Sequence, residues 1–90
     1  KTVGVIRDYD AQHCMLTFEI TNRLETGSEV EIITPEKIIK ITATKISDVS
    51  GNLKDVAHGG TGLCQIPCAE NPGKFAVLRR KKYQQEYDVS

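Results

Sequence analysis

Cys14-Met15-Leu16-Thr17-Phe18-Glu19-Ile20 is the stretch whose reading decides the fold. Leu16, Phe18 and Ile20 alternate with Thr17, Glu19 and Thr21. A period of two marks a strand with one face buried. Upstream, Val3 to Tyr9 is rich in residues that favour extended backbone, and the polar run Asp10-Ala11-Gln12-His13 lies between the two segments. Together they predict a β-hairpin.

Further along, strand and turn signals keep alternating. Glu29 to Thr34 places Val30 and Ile32 on one face, and Thr34-Pro35-Glu36-Lys37 is a tight turn in which Pro35 pre-sets φ. Ile38 to Ile46 is rich in Ile and Thr, but its apolar phase slips: Ile39 and Ile41 share one parity, Ile38 and Ile46 the other. A bulge, or a strand rounding a barrel corner, produces such a slip. Turns are also predicted at 48–52 and 71–73, a short strand over Leu63–Ile66 that Pro67 ends, and a last strand with a basic end from Phe75. The predicted fold is all-β, a small closed or partly open β-barrel of six to seven strands. Closure suits a small chain because it removes sheet edges that aggregate.

With 90 residues the chain has room for one domain, expected over residues 1–80 with a polar tail over 81–90. Tyr83 and Tyr87 lie four apart in that tail and could share a face of a short helix, but a frayed polar terminus is the simpler expectation. The start of the chain, directly before a strand-like run, predicts a piece of a longer protein. Twelve basic residues balance twelve acidic ones, so nucleic-acid binding would need a local patch. Three cysteines at spacings that match no disulfide framework predict a reducing, cytoplasmic setting. No apolar run approaches the roughly 20 residues of a membrane span, so no membrane partner is expected.

Chemistry concentrates in His58-Gly59-Gly60-Thr61-Gly62-Leu63-Cys64-Gln65-Ile66-Pro67-Cys68. A phosphate cradle needs glycines that open a helix. These glycines lead instead into a β-like run, and no lysine follows them as in a P-loop. The reading is a tight β connection in which Gly59, Gly60 or Gly62 takes a positive φ. As zinc ligands, Cys64 and Cys68 are poorly spaced: four residues of strand span about 13 Å, too far for two thiolates on one ion. Neither a metal nor a cofactor is expected. Catalysis by Cys14 with His13, or Cys64 with His58, lacks an orienting third group, and neighbours in a strand point to opposite faces. No catalytic residue is assigned. The best interaction feature is the basic run Arg79-Arg80-Lys81-Lys82, with Tyr83 beside it to stack on a base. These five are the candidate contacts to substrate or RNA, weighed against a solvated, solubilising end.

Laid out in order, the motifs form a pattern. Val3-Gly4-Val5-Ile6-Arg7-Asp8-Tyr9-Asp10 is followed by Asn22-Arg23, by Gly27-Ser28-Glu29-Val30-Glu31-Ile32 and by Thr34-Pro35. Then come Asp55-Val56-Ala57, Gly59-Gly60, Ile66-Pro67 and Ala76-Val77-Leu78-Arg79-Arg80. The pattern resembles the C-terminal domain of the collagenase-like bacterial peptidases of family U32. The piece Gly27 to Ile32 is also similar to the second-domain barrel of translation elongation factors. The resemblance implies an accessory domain whose partner is the larger, catalytic N-terminal domain of the same chain, with a protein substrate. Some members of the family instead serve base hydroxylation in transfer or ribosomal RNA, with iron-sulfur ligands in the large domain, which implies RNA as an alternative partner. Cys64 and Cys68 stand where the family has ordinary apolar residues, and His58 where proline is common. The resemblance thus makes the two thiols packing residues.

Overall fold

In the computed structural model residues 2–73 and 75–81 are described. The predicted hairpin is present: β1 (Thr2–Asp10) pairs antiparallel with β2 (Met15–Ile20), setting Tyr9 opposite Leu16, Ile6 opposite Phe18 and Gly4 opposite Ile20. The turn between them is built by Asp10. Its carboxylate accepts the N–H groups of Gln12 at 2.9 Å and His13 at 3.3 Å, and Cys14 leaves the turn with φ 54. β1 is irregular between Thr2 and Gly4 and between Ile6 and Asp8, and such bulges bend a strand and sharpen its twist.

The remaining strands are β3 (Leu24–Glu25), β4 (Glu29–Ile33), β5 (Ile38–Thr42), β6 (Ile46–Asp48), β7 (Leu53–Lys54), β8 (Val56–Ala57), β9 (Leu63–Pro67) and β10 (Val77–Arg80). Eight of them form one sheet in the order β5-β4-β10-β1-β2-β9-β6-β7, and β3 pairs with β8 apart from it. The described strands exceed the six or seven expected because β3, β7 and β8 are two-residue ladders, too short to leave a periodic signal.

Chain connectivity shows that the large sheet curls. β5 is at one edge and β6 next to the other, yet only Ala43, Thr44 and Lys45 join them. Six strand spacings in a flat sheet would separate them by about 29 Å. Three linking residues reach at most about 15 Å. The sheet must therefore roll until its two ends approach. The ladder itself does not run on from β5 to β7. Across that seam Gly27 N–H donates to the Ala43 carbonyl at 2.8 Å and Ala43 N–H to the Ser28 carbonyl at 2.8 Å. Thr26 N–H donates to the Asp55 carbonyl at 2.9 Å, and the β3–β8 ladder lies beside it. The architecture is a partly open barrel.

The phase slip in Ile38–Ile46 is explained by the same link. The run is two strands, not one: β5 ends at Thr42 and the chain crosses the seam before β6 begins at Ile46. Ile39 and Ile46 both face the core, from opposite ends of the rolled sheet.

Inside, Leu16, Phe18, Leu24, Ile32, Ile46, Ile66 and Leu78 are fully buried. Each contributes roughly 1.5–3 kcal/mol by leaving water. The inward row Ile39–Ile32–Leu78–Gly4–Ile20 runs across five strands in register. Gly4 is the gap in that row, and the ring of Phe18 fills it. The last strand is thus pinned between β1 and β4, which fixes where its basic end emerges.

Candidate functional site: an apolar row on the outer face

Alternation sends every second residue of β10, β4 and β5 away from the core. One outward row is apolar. Ile38 pairs with Ile33, Ile33 with Val77, Val77 with Val5, Val5 with Glu19 and Glu19 with Leu63. Five of its six residues are hydrophobic. Ile33, Val77 and Val5 are half-buried, and the flanking Ile38 and Leu63 are 50% and 41% exposed. Phe75, two residues before Val77, adds an aromatic ring that is 87% exposed. It is held at φ 57, in a region that bulky residues seldom occupy. An open groove of about 640 Å³ adjoins this ring, with Val5, Arg7, Tyr9, Asn71 and Phe75 in its lining.

Ion pairs rim the row. On one side Arg79 donates to Glu31 Oε1 from Nε at 3.1 Å and from Nη2 at 2.7 Å. The guanidinium holds the Glu31 carboxyl below its usual range. Within and beside the row, Arg7 Nη2 donates to Glu19 Oε1 at 2.7 Å. An apolar centre with a polar rim is the anatomy of a protein interface.

The described residues of the predicted basic patch lie next to this row, and each of them is engaged. Arg79 holds Glu31. Lys81 Nζ lies 3.1 Å from Glu29 Oε1, while its own N–H donates to the Glu29 carbonyl at 3.0 Å. Arg80 donates from Nη2 to the Arg23 carbonyl at 3.0 Å. β4 thus brings two carboxylates against the strand that carries the cations, a pairing set by the register of Arg79 with Glu31. Lys82, Tyr83 and the rest of the expected tail lie outside the described residues.

The glycine-rich stretch forms a 3₁₀ turn over Gly59–Thr61 that leads into β9. His58 N–H donates to Thr61 Oγ1 at 3.0 Å and Thr61 N–H to the His58 carbonyl at 2.8 Å. Gly62, with φ 89, is the glycine of the three that takes the left-handed turn. Cys64 and Cys68 are buried, and burial pushes both thiols up in pKa, which favours their protonated form. His13 Nδ1 sits 2.7 Å from Asp10 Oδ2, an exposed contact that holds the Asp10 carboxyl low. Among the described residues no three His, Cys, Asp or Glu side chains gather as metal ligands. No helix among them is long and apolar enough to cross a membrane.

Sequence reasoning missed the outward row. Its signal was present: Val5, Ile33, Ile38 and Val77 are apolar at positions whose parity should be polar. Only the register reveals that they align.

The family model for the peptidase family U32 C-terminal domain matches residues 1–79. The chain belongs to that family. No curated protein shows significant similarity to it. The crystal structure of the C-terminal domain of a Geobacillus thermoleovorans protein assigned to the U32 peptidases has the same fold. It superposes with a TM-score of 0.84 at 23% identity, over 91% of this chain and 93% of that one. Its selenomethionine variant superposes with a TM-score of 0.81 at 24% identity, over 88% and 98%. The apolar row and its rim are thus features of a U32 C-terminal domain, a unit whose family name places it after another portion of the same polypeptide.

Proposed function

We propose that this U32 C-terminal domain is a non-catalytic accessory module that docks against the larger domain of its own polypeptide and helps it hold a protein substrate. The observation that carries this is the outward apolar row Ile38–Ile33–Val77–Val5, with Leu63 beyond Glu19 and Phe75 standing beside it. Hydrophobic side chains aligned over four adjacent strands, Ile38 to Val5, and edged by ion pairs cost least when another surface covers them. On this reading peptide hydrolysis, or base modification in the RNA-acting relatives, belongs to the larger domain. Arg79, Arg80 and Lys81 serve as the rim, with Lys82 and Tyr83 following in sequence.

The test is Ile33→Lys and Val77→Lys in the intact parent protein. Both should increase proteolytic cleavage between the domains and lower parent activity, while the isolated domain melts nearly as before. Unchanged cleavage and activity would remove the docking reading. Transfer RNA binding that weakens steeply with salt, and that is lost in Arg79→Ala with Arg80→Ala, would replace it with the RNA reading.

A further inference from the structure

Cys14 and Cys68 face each other across the end of the β2–β9 ladder. The register sets Met15 opposite Pro67 and Leu16 opposite Ile66, so one further step aligns Cys14 with Cys68. The backbone confirms that step: Cys68 N–H donates to the Cys14 carbonyl at 2.9 Å. Directly opposed residues of such a pair have Cα atoms about 5.5 Å apart, inside the range that a disulfide bridges. Cys68 shares the parity of the buried Cys64 and Ile66. Cys14 lies one step beyond the ladder at φ 54, with its thiol 3.9 Å from the Ala11 carbonyl, so its sulfur turns from Ala11 towards Cys68 when the bond forms. Tyr9, opposite Leu16, donates its hydroxyl to the Cys68 carbonyl at 2.7 Å. Burial, and then the Cys14 thiol, push its phenol up in pKa.

The two thiols differ in access. Cys14 is exposed, whereas Cys68 is 3% exposed and directs its thiol to the Glu70 carbonyl at 3.1 Å. That is the arrangement of an attacking and a resolving thiol. We infer that Cys14 and Cys68 form a reversible intramolecular disulfide, made by exchange with a low-molecular-weight disulfide. The Cys14 thiolate attacks one sulfur of the small disulfide, forming a mixed disulfide and expelling one small thiolate. The Cys68 thiol then passes its proton to the small thiolate already expelled and attacks the Cys14 sulfur, expelling the second small thiolate, which takes up the proton that Cys14 lost to solvent. Two protein thiols are oxidised and one small disulfide is reduced to two thiols. Cys64, opposite Phe18 in the same ladder, takes no part.

The bridge would tie the Asp10–Cys14 turn to the segment that runs on to Asn71 and Phe75 along the groove. It does not depend on the docking reading. The test incubates the reduced domain with excess oxidised glutathione, alkylates it and maps it by mass spectrometry. The expected product has lost two hydrogens, retains one alkylatable thiol at Cys64 and regains three after dithiothreitol. Cys64→Ser should still form the bridge, while Cys14→Ser, an exposed change that leaves the core intact, should abolish it. A product that keeps glutathione on Cys14, a disulfide joining two copies through Cys14, or a bridge that survives Cys14→Ser would each overturn the proposal.

Discussion

The ring of Phe18 occupies the space that a side chain on Gly4 would need. A β-carbon built on Gly4 would lie 2.7 Å from Phe18 Cδ2 and 2.9 Å from the Glu19 carbonyl oxygen. One of these contacts is backbone, so the neighbour cannot simply rotate aside. Gly4→Ala is expected to lower stability by about 1–3 kcal/mol, the usual cost of overpacking. Urea denaturation of the isolated domain measures it. A change within experimental error would mean that β1 and β2 are not packed as described.

The Arg79–Glu31 pair predicts a small, salt-sensitive coupling. Arg79→Ala, Glu31→Gln and the double variant form a cycle with an expected interaction of about 1 kcal/mol or less, shrinking in high salt. Additive effects of the two changes would show that the rim is not organised as an ion pair in solution.

Stability is expected to fall at both ends of the pH scale. Folding lowers the carboxyl pKa of Asp10 through the His13 side chain, of Asp48 through the Asn52 N–H, and of Glu31 through Arg79. Each contributes stability that is present above the ordinary values of 3.8 for Asp and 4.5 for Glu, and that is lost as pH falls through the lower folded values. Folding raises the Cys64 and Cys68 thiols above 9.0, chiefly by burial. Their contribution is complete below 9.0 and is lost as pH rises from there through the folded values, because the unfolded thiols ionise first. Urea midpoints across a pH series check both limbs. A flat profile into strong acid would contradict the first, and rising alkaline stability the second.

As a packing residue, Cys64 should be sensitive to polarity more than to its sulfur. Cys64→Ser puts a hydroxyl into an apolar site and is expected to cost about 1–3 kcal/mol. Cys64→Ala should cost less. The reverse order, measured by thermal unfolding, would mean that the site is polar.

Much of the fold was legible because single strands advertise themselves. Leu16, Phe18 and Ile20 specify β2, and Gly62 marks the start of β9, which runs one residue beyond the expected Leu63–Ile66, through Pro67. The boundary between β5 and β6 was not legible as a break, since the slip in Ile38–Ile46 fits a bulge as well as a crossing of the seam. The candidate site was harder, because it is a property of register. Arg79 and Glu31 are 48 apart in the chain, and nothing local says that they pair. The basic run therefore read as free charge, whereas β4 brings Glu29 and Glu31 against it. Cys14 and Cys68 were likewise judged separately, and only the β2–β9 ladder sets them opposite each other.

The central claim is that the outward apolar row is covered in the intact protein. Carbene footprinting of the parent and of the isolated domain measures this residue by residue. The account predicts that labelling of Ile33, Ile38, Val77 and Phe75 falls several-fold in the parent, while the exposed Val49 and Leu53 of the β6–β7 hairpin label equally in both. Equal labelling of the row in the two samples would contradict it.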